Sequence, residues 1–174
     1  VGVGYSDKGR LRVGAWGKRT RRIVPIPDCL AATDPLRKVM KSFAHHVIDL
    51  DIRPFEPEKD AGVLRSAAFR RSRSTGEVLI TLVAGRRPFI LNDLAEALAG
   101  NPEVVGVWLH LNSEPGNAMY HPDEDGVIGV RPLIGKAWIE ETLGPVTYRI
   151  GPVDFFQTNP STAEVMYART IEAL

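Results

Sequence analysis

The chain has 174 residues, 44% hydrophobic and 25% charged, which suits one folded core or one core with a small appendage. No run of eighteen apolar residues occurs, so no membrane-spanning helix is expected, and a single cysteine excludes an internal disulfide and suits a reducing cytoplasm. The net charge of +1 conceals an asymmetry, with 18 Lys/Arg against 11 Asp/Glu in residues 1–100 and 4 against 10 in residues 101–174.

A basic half suits a polyanionic partner, unless its charges are scattered over a solvated surface. Gly2 to Lys8 opens the chain ahead of the first alternating stretch. Arg10 to Trp16 then alternates as a strand with Leu11, Val13 and Ala15 on one side. Gly17 to Arg22 reads as a basic turn and Ile23 to Ile26 as the second strand of a hairpin. Thr33 or Asp34 caps a helix with Pro35 just inside its start, and Leu36, Val39, Met40, Phe43, Val47 and Leu50 form its apolar stripe. His45 and His46 are adjacent, point about 100° apart on a helix and cannot chelate one ion together.

Val63 to Arg71 and Glu77 to Ala84 bracket a glycine-bearing turn, the clearest hairpin in the chain. Val78 to Val83 is apolar on both faces apart from Thr81, as expected of a central strand buried twice. Arg70, Arg71 and Arg73 cluster at the turn, and their guanidinium forks suit phosphate or merely solubilise the hairpin tip. Leu91 to Ala99 reads as a helix ended by Gly100. Val104 to Asn112 reads as a strand with Val105, Val107, Leu109 and Leu111 on one face and Trp108, His110 and Asn112 on the other. Ser113 to Gly126 is the least structured stretch, and its acidic side chains with His110 and His121 lack short metal-ligand spacing. Trp138 to Glu141 and Val146 to Ile150 make a last hairpin. The predicted fold class is therefore α+β, a mixed and mostly antiparallel sheet with helices packed on one side.

The closing stretch couples Asp154-Phe155-Phe156-Gln157-Thr158-Asn159 to an amphipathic helix. Asn159 can cap that helix with Pro160 at its first position, and Ala163, Met166, Tyr167, Ile171 and Leu174 recur at the spacing of one buried face. Phe155 and Phe156 are consecutive, so in an extended chain they point to opposite sides and at most one is plain core. Gln157 offers amide donors and an acceptor suited to an amino-acid moiety or a base edge. A start at Val1 and an end on an apolar helical position suggest a piece of a longer protein.

This motif, followed by Thr162-Ala163-Glu164, resembles the lead into the methyltransferase domain of bacterial RNA (uracil-5-)-methyltransferases, which modify uridines in 23S rRNA and in the tRNA T-loop. Family members are typically built from an RNA-binding barrel, a central domain and a Rossmann-like domain that binds S-adenosylmethionine. The chain resembles the central domain along nearly its whole length, with Ser6 where arginine is usual.

The resemblance implies residues 1–152 as an RNA-positioning domain and residues 153–174 as the linker motif and first helix of a methyltransferase domain docking against it. It implies that Gln157 contacts S-adenosylmethionine and that Phe155, Phe156 and Asn159 lie near a flipped base, with Arg70, Arg71 and Arg73 on rRNA or tRNA phosphates. Many members use a cysteine at the place of Cys29 as the last ligand of a 4Fe–4S cluster. This chain supplies one thiol, so Cys29 is a cluster ligand only with upstream cysteines of the parent, or else a small buried hydrophobe. The family's reactive cysteine and carboxylate base belong to the C-terminal domain, so the fragment alone is expected to be inactive. The alternative is a non-catalytic RNA-binding module.

Overall fold

The computed structural model describes residues 1–6, 8–17, 22–26, 29–116 and 118–173. The basic turn at Lys18–Arg21, Pro27, Asp28, Asn117 and the apolar position Leu174 lie outside the described residues.

Seven strands form one sheet in the order β3-β2-β1-β4-β5-β6-β7. They are β1 (Gly2–Tyr5), β2 (Leu11–Trp16), β3 (Ile23–Val24), β4 (Leu64–Arg71), β5 (Val78–Ala84), β6 (Val104–Leu111) and β7 (Val130–Gly135). Neighbours pair antiparallel except β5 with β6, which run parallel through the connecting helix α2 (Ile90–Ala99). Helix α1 (Asp34–Asp49) bridges β3 and β4, with Thr33 extended ahead of it and Pro35 in its first turn, where a missing N–H costs nothing. A separate hairpin, β8 (Ile139–Leu143) with β9 (Val146–Ile150), precedes helix α3 (Pro160–Glu172). The fold is α+β, with a mixed and mostly antiparallel sheet.

Strand β5 is buried at all seven positions, and its alternation divides two cores. Val78, Ile80, Leu82 and Ala84 meet Val39, Phe43 and Val47 of α1 and Leu91, Leu94 and Leu98 of α2. Leu79 instead meets Ile139 and Ile150 of the β8–β9 hairpin, with Phe156 against them. Each such buried aliphatic side chain contributes about 1.5–3 kcal/mol. Helices α1 and α2 thus share one side of the sheet, and the hairpin takes the other. Helix α3 departs from the one-sided expectation, since it packs on β8 rather than with α1 and α2.

Two sequence expectations need correction, and the glycine-rich opening, for which the pattern gave no element, is strand β1, where Gly2 and Gly4 leave room for neighbouring side chains. An added Cβ would meet Trp16 Nε1 at 2.7 Å from Gly2 and Ile23 Cγ1 at 2.8 Å from Gly4. Strand β6 does not alternate strictly either. Val78 pairs with Val104 but Leu79 with Gly106, and this irregularity turns Val105 to the Trp108 side. Leu111 is exposed, whereas His110 and Asn112 are buried. Finally, among the described residues of the expected apolar face of α3 only Ala163 is buried, and Met166, Tyr167 and Ile171 are exposed.

Candidate functional site: a pinned ledge beside an apolar groove

Residues 151–159 cross the hairpin side of the sheet as an irregular segment held at several points. The Thr81 hydroxyl donates to the Pro152 carbonyl at 3.1 Å, the use found for the one polar side chain of β5. The Gly151 N–H donates to Asp154 Oδ2 at 2.7 Å, and the Arg70 guanidinium donates to the Asp154 carbonyl. Asn159 caps α3, its Oδ1 accepting from the Thr162 N–H at 3.2 Å.

The two phenylalanines divide as an extended chain requires. Phe156 meets the Tyr148 ring edge-on at 5.7 Å and packs on the Leu79–Ile139–Ile150 core. Phe155 is 86% exposed. Gln157 is half-buried, and no hydrogen-bond partner for its amide occurs among the described residues. A free amide beside an exposed aromatic ring, on a backbone fixed from behind, can hold a polar ligand without reorganising.

The structure separates the three arginines read as one cluster. Phe69 lies on the helix side, edge-on to Phe43 at 5.4 Å, so Arg71 follows it there while Arg70 faces Asp154. Arg71 Nε is buried without a partner. Arg73 sits in the turn and forks onto Glu164, at 3.0 Å to Oε2 and 2.9 Å to Oε1, with a further bond to Ser161 Oγ at 3.0 Å. The Gly144 N–H also donates to Glu164, at 3.1 Å. Arg73 chiefly, then Gly144, hold the Glu164 carboxyl down at about 2. The same turn is seated on a second carboxylate: Glu141, 1% exposed, accepts from the backbone N–H groups of Arg73 at 2.6 Å and Ser74 at 3.2 Å.

Nothing in the sequence pattern marked Glu141 and Glu164 as partners of Arg73, which lies 68 and 91 residues away from them. Thr81 carried a signal, as the single hydroxyl in an apolar strand.

His110 uses both ring nitrogens inside the fold. The His121 N–H donates to Nε2 at 3.1 Å, which leaves the proton on Nδ1 to donate to the Gly129 carbonyl at 2.8 Å. Tyr120 lies edge-on to His110, and burial pushes its hydroxyl above the ordinary range. Arg65 braces the following loop through the Asn112, Glu114 and Gly116 carbonyls. Cys29 is half-buried between β3 and α1, its carbonyl accepting from Arg37 at 3.2 Å. One thiol does not complete a cluster.

Beside the ledge, β8, β9 and α3 enclose an open apolar groove of about 450 Å³, lined by Leu143, Pro145, Val146, Tyr148, Tyr167 and Ile171. Ile171 is 72% exposed, well beyond what an amphipathic face leaves to water once covered. No helix among the described residues is long and apolar enough to cross a membrane.

No model of a protein family matches the chain. Curated relatives do. An uncharacterised RNA methyltransferase of Synechocystis is 28% identical over 171 residues, covering 97% of this chain and 36% of the relative. A Clostridium tetani protein of the same description is 25% identical, covering 95% of this chain and 35% of its own length. Among solved structures, Pyrococcus abyssi tRNA (uracil-54, C5)-methyltransferase, in complex with S-adenosyl-L-homocysteine, matches with a TM-score of 0.74 at 22% identity. That match covers 99% of this chain and 39% of the archaeal one. At that identity the solved structure carries the fold alone.

The chain is thus similar over nearly its whole length to uncharacterised RNA methyltransferases and shares its fold with a part of the archaeal enzyme. It spans about a third of the length of the curated relatives it matches.

Proposed function

We propose that this chain is the central domain of an S-adenosylmethionine-dependent RNA uracil-5-methyltransferase acting on rRNA or tRNA. Residues 1–152 position RNA, and residues 153–174 lead into a methyltransferase domain. The observation that carries this reading is the unpartnered Gln157 amide beside exposed Phe155, on a segment tied down by Thr81, Arg70 and Asn159.

S-adenosylmethionine, when bound, supplies an electrophilic methyl group. Gln157 would grip its polar amino-acid end, and Phe155 would stack against an extracted uracil, with Asn159 fixing where the helix begins. Phe156 supports the ledge from within the core. The protein's own part is thus binding and orientation; the nucleophile and base come from polypeptide beyond these residues. A 4Fe–4S cluster on Cys29 would require three further thiolates from the parent.

The groove between the β8–β9 hairpin and α3 suits the methyltransferase domain as its occupant, since the relatives are about three times as long. The pairs already formed by Arg70 and Arg73 assign them to holding the ledge and α3, with phosphate contact left to exchange for those bonds. Arg71, at the same turn, is the member of the three without such a bond.

The test is methyl transfer from labelled S-adenosylmethionine to a uridine-containing RNA by the full-length protein, with nucleoside analysis of the product. 5-Methyluridine is expected. Methylation of any other base would exclude the uracil-5 assignment, and RNA binding without transfer would favour the non-catalytic module.

A further inference from the structure

The positive charge of this domain has a different centre from the arginine turn. Residues 1–48 carry ten Lys/Arg and three Asp/Glu, an excess of seven that accounts for the whole imbalance of the first hundred residues. Seven of those Lys/Arg and one of those Asp/Glu are among the described residues, on or beside β1, β2, β3 and α1.

Between β2 and α1 lies a groove of about 380 Å³. Its floor is apolar, with Val13 from the strand and Met40, Ala44 and Ile48 from one face of the helix. Arg12 rises on one wall and Lys41 and His45 on the other, and no acidic side chain lines it among the described residues. Arg37 closes one end, its guanidinium donating to the Ala32 carbonyl at 2.8 Å.

We propose that this groove is a second RNA-binding site, taking one unpaired nucleotide. The floor suits the flat apolar face of a base, and the volume is that of a small-ligand pocket. The cationic walls stand where the flanking phosphates of an extruded nucleotide would pass. An acidic peptide would satisfy the walls but would leave the floor unfilled. A base-paired duplex keeps its bases stacked and could use only the rim. The site rests on the reading that RNA is the substrate. It lies at the helix-bearing side of the domain, away from the Gln157 ledge, so it grips RNA without contacting the cofactor.

The experiment titrates a fluorescein-labelled RNA stem–loop with a uridine-rich loop into the full-length protein, by fluorescence anisotropy across a salt series. The variants are wild type and the double substitution Arg12→Gln with Lys41→Gln. Loss of two phosphate contacts should weaken binding about tenfold or more at low salt and reduce the log–log salt slope by about two.

Unchanged affinity and slope in the variant, with wild type binding normally, would overturn the groove and leave the RNA reading standing. Failure of wild type to bind the RNA would sink both. Competition by polyglutamate as effective as that by unlabelled RNA would also overturn the proposal. Photo-crosslinking of the wild type to the same RNA carrying 4-thiouridine in its loop decides the matter should the double variant misfold. Crosslinks within residues 37–48 are expected, and crosslinks confined to residues 155–173 would contradict the site.

Discussion

Thr81 shows how one side chain can tie a functional segment to a core. Its hydroxyl is 2% exposed and makes its bond to the Pro152 carbonyl where water is excluded. Thr81→Val keeps the shape and removes the donor, stranding that carbonyl, so urea denaturation should show a loss of about 1–3 kcal/mol. The two phenylalanines set up an opposite contrast. Phe155→Ala should change stability by less than about 0.5 kcal/mol, as exposed positions do. Phe156→Ala should cost about 2 kcal/mol through lost burial against Leu79 and Ile150. Equal losses by thermal melts would show that the pair does not divide as described. That division was legible in the sequence, because consecutive extended residues must face apart. The partners of Arg70 and Arg73 were not, since a spacing of one or two residues says nothing about an acceptor brought in from residue 154 or 164.

At the scale of elements, the Arg73–Glu164 fork ties α3 to the arginine turn. Glu164 titrates near 2 when docked against 4.5 for a free carboxyl. A depressed carboxyl stabilises docking above its free value, and the contribution is lost as pH falls toward the docked value. The hydrogen-exchange protection factors of the α3 amides should therefore be unchanged from neutrality to about pH 4.5 and fall between there and about pH 2. In Arg73→Ala the same exchange should already be fast at neutral pH; slow exchange in that variant would show that the hairpin alone holds α3.

Elements with strong periodicity, α1, α2 and the β4–β5 hairpin, could be read from the chain because burial dictates their pattern. Strand β1 could not. Its glycines leave the space that Trp16 and Ile23 need, and nothing in Gly-Val-Gly-Tyr itself announces that need. Strand β7, a sheet edge that tolerates Pro132, also gave no apolar alternation to follow.

For the whole molecule, the apolar surface of α3 and the β8–β9 hairpin has the form of an interface with its other half missing. Ile171 is mostly exposed here, so Ile171→Glu would be nearly neutral if that surface stayed in water. In the full-length protein a further domain seated in the groove would bury it. The substitution should then lower the thermal midpoint by several degrees, and an unchanged midpoint would leave the groove without that occupant. The periodicity of α3 was visible in its sequence. What covers it was not, because an apolar stripe specifies burial but not the partner.

The ledge is where residue, element and molecule meet: core contacts fix the backbone so that the Gln157 amide stays available. Calorimetric titration of S-adenosylmethionine into the full-length protein and its Gln157→Ala variant tests this most directly. The expected result is an affinity at least about tenfold weaker in the variant, the loss of one or more hydrogen bonds to a charged ligand. Equal affinity for the two proteins would contradict a cofactor contact at Gln157.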